Sequence, residues 1–241
     1  MIVLMSAFLL LSAFSCGGGN KANSTSEQSE ETAVNVPQFD ADSAYLYVKN
    51  QVDFGPRVPN TKEHVACGNY LAGQLEAFGA QVTNQYADLI AYDGTLLKAR
   101  NIIGSYKPES KKRIALFAHW DTRPWADNDP DEKNHNTPIL GANDGASGVG
   151  ALLEIARLVN QQQPELGIDI ILLDAEDYGA PQFYTGQHKE EFWCLGSQYW
   201  ARNPHVQGYN ARFGILLDMV GGEGSCLLYT SPSPRDSTSS R

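Results

Sequence analysis

Three short apolar runs, IALFAH at 114–119, IDIILLD at 168–174 and FGILLD at 213–218, constrain this chain more than any other feature. Each is continuous rather than alternating, as in strands covered on both faces, and helical stretches separate them. The pattern predicts an α/β fold with a mixed, mostly parallel central sheet flanked by helices. GASGVGALLEIARLVNQQ at 145–162 places apolar residues at Val149, Leu152, Leu153, Ala156 and Leu158, and 196–203 is a shorter helical candidate. Upstream, 39–54 and 61–79 also carry helical spacing, the second stopping at Gly79, with Gly55-Pro56-Arg57-Val58-Pro59 as a break between them. Strands at 80–92 and 97–106 flank Asp93-Gly94, a dipeptide that favours hairpin turns.

The runs end in chemistry. His119 and Asp121 follow the first, Asp174, Glu176 and Asp177 the second, and Asp218 closes the third, while Asp144 precedes the helix at 145–162. In an open parallel sheet, ligands bind beyond the carboxyl ends of the strands, so these groups are expected on one rim. Any one alone would be a turn residue or helix cap, Asp144 an ordinary N-cap. Together, one imidazole and several carboxylates without thiolates suit a catalytic zinc with an open coordination position. Glu176 and Asp177 are adjacent and point in different directions, so one can hold a metal while the other moves protons.

With 18 Lys plus Arg against 28 Asp plus Glu, the net charge is −10, and the one basic cluster, Lys111-Lys112-Arg113, is short. A nucleic-acid partner is therefore excluded by repulsion from the phosphate backbone. The opening MIVLMSAFLLLSAF is too short for a stable membrane anchor and suits a signal-peptide core. Ser15-Cys16-Gly17 resembles the cleavage box of bacterial lipoproteins, in which the cysteine becomes the lipidated first residue. The expected organisation is a lipoprotein signal peptide over 1–16, a Gly/Ser-rich tether over 17–38, a partial catalytic domain over 39–224, and a Ser/Pro-rich tail over 225–241 foreign to that domain. The protein is thus expected to be exported and lipid-anchored to a bacterial membrane, periplasmic or at the cell surface. Cys67 and Cys194 either pair or stay as two free thiols, since spacing does not fix connectivity.

The runs Ala118-His119-Trp120-Asp121-Thr122, Gly141-Ala142-Asn143-Asp144-Gly145-Ala146-Ser147-Gly148, Asp174-Ala175-Glu176-Asp177 and Leu217-Asp218-Met219-Val220-Gly221 resemble the four successive motifs of the family-M28 zinc peptidase superfamily. Within it they resemble the glutaminyl-peptide cyclotransferase branch of Bacteroidetes-type bacteria. The similarity covers about residues 39–224, and the joint order and spacing carry the specificity. The resemblance implies a zinc aminopeptidase-like fold. It also implies Asp144 and Asp177 as zinc ligands, Glu176 as general acid/base, His119 and Asp218 as second-metal or near-site residues, and Asp121 as the group that orients its neighbours. Trp193, and with it Trp120, would wall the substrate pocket.

The implied reaction converts the amino-terminal glutamine of a peptide to pyroglutamate with release of ammonia, and the partner is a peptide with a free amino terminus. An M28 aminopeptidase and a non-catalytic surface lipoprotein of the same fold are the alternatives. The insertion at 123–140 and the tryptophans tilt the reading toward cyclisation, and Asp127, Asp129, Asp131 and Glu132 offer either attraction for a cationic amino terminus or a solvated surface. Relatives continue past the last motif and supply a late histidine ligand. Here His64, His119, His135, His188 and His205 all precede it, so the carboxyl-terminal part is expected to be missing and the chain as written inactive.

Overall fold

The computed structural model describes residues 36–224. Cys16, Cys226, the signal peptide, most of the tether and the tail lie outside the described residues. Helix α1 (Ala41–Val52) starts where Asp40 accepts hydrogen bonds from the amides of Asp42 and Ser43. Helix α2 (Lys62–Ala77) is capped by Thr61, which accepts from His64 N. Strands β1 (Gln81–Ile90) and β2 (Leu96–Tyr106) form the expected hairpin, paired from Gln81↔Ser105 to Ile90↔Leu96. Gly94 takes a φ of +86° in its turn.

Strand β3 (Arg113–His119), helix α3 (Ala146–Gln161), strand β4 (Gly167–Leu173), helix α4 (Leu195–Arg202) and strand β5 (Gly214–Leu216) complete the fold. The sheet order is β1-β2-β4-β3-β5. β3 is parallel to β4 and to β5, whereas β2 is antiparallel to both β1 and β4. Four strands therefore run one way and β2 alone runs against them.

Two apolar layers cover the centre, as the continuous runs require. Ile170 and Leu172 of β4 face Leu71 and Leu75 of α2 and Leu152 and Leu153 of α3 in one cluster. Ile171 and Leu173 join Ile103, Ala115 and the partly buried Phe117 and Trp200 in another. Removing a side chain such as Leu152 to alanine would cost about 2–5 kcal/mol through lost transfer energy and a cavity.

The third run forms a shorter strand than the six residues expected, with the exposed apolar edge that was anticipated for it. Only Gly214–Leu216 pairs, and Ile215 and Leu216 are 44% and 62% exposed. β5 bonds to β3 on one side and is the edge of the described sheet, so its apolar face is not covered. α3 passes very close to it. A Cβ on Gly148 would lie 2.1 Å from the carbonyl oxygen of Leu217, so glycine permits the approach that brings Asp218 near α3. Among the described residues no helix is long and apolar enough to cross a membrane.

Candidate metal centre and its surroundings

Parallel alignment of β3, β4 and β5 sets their carboxyl ends on one edge, and the predicted groups gather there. His119, the last residue of β3, is 3% exposed and places Nε2 2.8 Å from Asp144 Oδ1 and 3.6 Å from Asp218 Oδ1. One donor atom from each of His119, Asp144 and Asp218 lies within 4.8 Å of the others, a set able to hold a metal ion. Asp144 does not cap α3. The N-cap is Gly145, at a φ of +86°, and the Asp144 carboxylate turns to His119 instead. Burial alone would depress the His119 imidazole, but Asp121, Asp144 and Asp218 outweigh it and raise it well above its ordinary value.

Asp121 is fully buried and holds the next loop. Its two oxygens accept from the amides of Glu176 and Asp177, both at 3.1 Å, and Oδ1 lies 3.5 Å from His119 Nδ1. Burial pushes this carboxyl up, while His119 and the two amides pull it down and prevail. Glu176 and Asp177 then diverge as expected. Glu176 lines a cavity of about 300 Å³ with His119, Cys194, Trp200, Leu216 and Asp218, and burial raises its carboxyl. Asp177 lines a cavity of about 290 Å³ with Asp144, Arg123, Gln182, His188 and Trp193. Its Oδ2 is buried without a hydrogen-bond partner. Burial, then repulsion from Asp121, Asp144 and Glu176, pushes it up to about 8. Asp177 stands outside the His119–Asp144–Asp218 set and has Arg123 Nη1 3.5 Å from its Oδ1, but its unpartnered Oδ2, in one cavity with Asp144, fits a divalent cation, and oxygen and nitrogen donors without thiolate suit zinc.

Trp193 lines the same cavity as Asp144 and Asp177. Its indole lies over Gly179, where a Cβ would come within 2.2 Å, and the Arg123 guanidinium sits 4.7 Å from the ring centroid. Trp120 does not join it. It is fully buried in the core, stacked on His64 at 4.3 Å and bonded through Nε1 to the Arg100 carbonyl. Alternation along the strand end explains this: His119 and Asp121 face the rim and Trp120 the α2 side.

Asp174 is likewise withdrawn from the rim. It is fully buried and accepts from Arg100 N, while His64 Nε2 lies 2.8 Å from its Oδ2. In the acidic insertion, Asp127 is no lure for a cation, because Arg123 binds it through Nε and Nη2 and Gln182 N donates to it. Asp129 and Asp131 are bonded to nearby backbone amides. Cys67 and Cys194 are both free, which decides between the two readings of these thiols. Sequence reasoning missed Arg123, Gly179 and Cys194. No local pattern reveals either the Arg123–Asp127 pair, which lies outside any helix, or that the same guanidinium caps an indole seventy positions away.

A doubly covered, largely co-directional sheet with an imidazole–carboxylate rim defines an α/β protein with a metal-competent site at its strand ends. The chain belongs to peptidase family M28, whose sequence pattern matches residues 101–241. It is 94% identical to the Bacteroides thetaiotaomicron glutaminyl cyclase solved with N-acetylhistamine, with a TM-score of 0.79 over 79% of this chain and 65% of that one. A second Bacteroides thetaiotaomicron structure, described as a leucine aminopeptidase precursor, also stands at 94% identity, with TM-score 0.79 over 79% of this chain and 66% of that one. Tannerella forsythia glutaminyl cyclase is 60% identical, with TM-score 0.75 over 77% of this chain and 63% of that one. The chain spans 40% and 48% of the length of two curated relatives that it matches.

Proposed function

We propose that the protein is a zinc-dependent glutaminyl-peptide cyclotransferase that turns the amino-terminal glutamine of peptides into pyroglutamate. One observation carries this reading. Two cavities meet at the His119–Asp144 contact of 2.8 Å, so that Glu176, which lines one with His119, flanks the same point as Asp177 and Trp193, which line the other with Asp144. Asp144 and Asp177 are assigned to zinc and Asp121 to positioning the Glu176-Asp177 loop. When bound, zinc supplies a positive charge that polarises the glutamine side-chain amide.

Glu176 takes a proton from the attacking amino-terminal nitrogen and returns it to the nitrogen that departs as ammonia. Its Oε1 accepts from Cys194, so Oε2 is the oxygen assigned to transfer. Trp193 covers the glutamine methylenes and keeps out water, which the reaction does not consume. The high identity to two named glutaminyl cyclases supports the choice of substrate.

A second reading, aminopeptidase hydrolysis, is favoured by the His119–Asp144–Asp218 set, which offers a place for a second metal, and by the relative described as an aminopeptidase precursor. The two are separated by incubating a full-length version of the protein with a glutamine-initiated peptide and with amino-acid anilides. Cyclisation predicts ammonia release from the peptide and nearly intact anilides. Rapid anilide cleavage without ammonia reverses the assignment. Export and anchoring through Cys16 belong to the same proposal, resting on the apolar opening and the Ser15-Cys16-Gly17 box. Mass spectrometry of membrane-extracted protein should find lipid on Cys16, and an unmodified, soluble chain beginning at Met1 would overturn that part.

A further inference from the structure

We infer that Cys194 is a positioning residue, whose thiol donates to Glu176 Oε1 at 3.1 Å and sets the direction of that carboxylate. The backbone around the pair is built for it. Three successive amides at the start of α4, those of Cys194, Leu195 and Gly196, donate to the carbonyls of Glu176, Ala175 and Asp174 at 2.9, 3.0 and 3.0 Å. The two segments approach so closely that a Cβ on Gly196 would lie 2.0 Å from the Asp174 carbonyl oxygen.

Ala175 and Cys194 hold φ values of +50° and +55° on opposite sides of this clamp, a conformation that non-glycine residues keep only where the surroundings enforce it. Asp121 fixes the same loop from the other side through the amides of Glu176 and Asp177. The Glu176 backbone is thereby immobilised, and only its side-chain torsions remain to be set. The thiol sets them.

Chemistry suits the donor role. Burial and the adjacent Glu176 push the Cys194 thiol up to about 12, so it keeps its proton at neutral pH and is neither a nucleophile nor a base. Among the described residues it has no disulfide partner, since Cys67 is free and buried in the core between α2, α3 and the sheet. A misdirected proton-transfer group lowers turnover without weakening substrate binding. This step rests on the proposed use of Glu176 in proton transfer.

The test has two arms. Infrared difference spectra between the chain and its Cys194→Ser variant isolate the Cys194 S–H stretch. That band should move to higher frequency when Glu176→Ala removes the acceptor, and a band that stays in place overturns the inference. In the second arm, Cys194→Ala should lower kcat roughly tenfold with KM, zinc content and unfolding midpoint unchanged, and Cys194→Ser should restore most of it. A loss confined to KM, or equal losses in both variants, overturns it as well. Should the chain cleave anilides instead of cyclising glutamine, the same kcat comparison is made on the anilide, because both reactions route a proton through Glu176. These rates are measured in a full-length version; without either turnover there, the function proposal falls and the infrared arm alone decides the hydrogen bond.

Discussion

Asp121, Asp174 and Asp177 are three carboxylates beyond two neighbouring strand ends, and their surroundings give them three different fates. Asp121 accepts two backbone amides beside an imidazole and is held below the ordinary range. Asp174 is enclosed with His64 and Arg100 N as partners, a purely architectural position. Asp177 has an oxygen without a partner and is pushed up to about 8, the position that a cation would relieve. Residue type and strand-end placement made all three candidates in the sequence. Which faces inward depends on partners distant in the chain, such as His64, so Asp174 and Trp120 could not be sorted from the rim residues without the packing.

The assignments separate at this scale. Glu176→Gln should lower turnover by about 10²-fold or more while zinc remains bound, because the carboxylate is assigned proton transfer and not coordination. Asp144→Ala should lose the metal. Elemental analysis beside the rate checks both, and a metal-free Glu176→Gln protein with a loaded Asp144→Ala protein would exchange the roles.

At the scale of elements, the end of the sheet opposite the candidate site is fastened by one carboxylate. Asp169, on β4, accepts from Arg113 Nε and Nη2 at 2.5 and 2.7 Å, from Ser105 Oγ of β2 at 2.7 Å and from the Tyr209 hydroxyl at 2.7 Å. Burial pushes this carboxyl up, but Arg113, Ser105 and Tyr209 prevail and hold it below its ordinary value. Its stabilisation is therefore fully present above the unfolded carboxyl pKa of about 3.9 and is lost as pH falls through the lower folded value.

Asp169→Asn, which leaves Arg113 without its counter-charge, should lower unfolding free energy by about 3–5 kcal/mol at pH 7. In denaturant titrations the difference from the parent should shrink as pH drops below about 4. A difference that stays constant with pH would show that Asp169 acts by shape alone.

Elements themselves were legible because periodicity is local. The helices at 39–54, 61–79 and 145–162 and the Asp93-Gly94 hairpin appear within a few residues of expectation. The run at 213–218 was legible as a strand with an exposed apolar edge, but not as one that pairs only over Gly214–Leu216, because apolar texture does not set where pairing stops.

At the scale of the molecule, one device explains why candidate site groups from four separated motifs meet. β3, β4 and β5 run in the same direction, α3 starts at the edge where they end, and Gly148 lets it lie against the Leu217 backbone. Order and spacing of the motifs made this meeting legible in the sequence. The cover supplied by Arg123, Gly179 and Cys194 was not, since each acts through a contact between segments that share no local pattern. Under the proposed function, this rim joins a substrate's own nitrogen to its side-chain carbon rather than adding water.

The most direct measurement is turnover of a glutamine-initiated peptide in ¹⁸O-labelled water, followed by mass spectrometry of the products. Cyclisation predicts a peptide lighter by one ammonia and free of ¹⁸O. Free glutamine carrying one ¹⁸O, with a peptide shortened by one residue, would contradict the account and assign the site to hydrolysis.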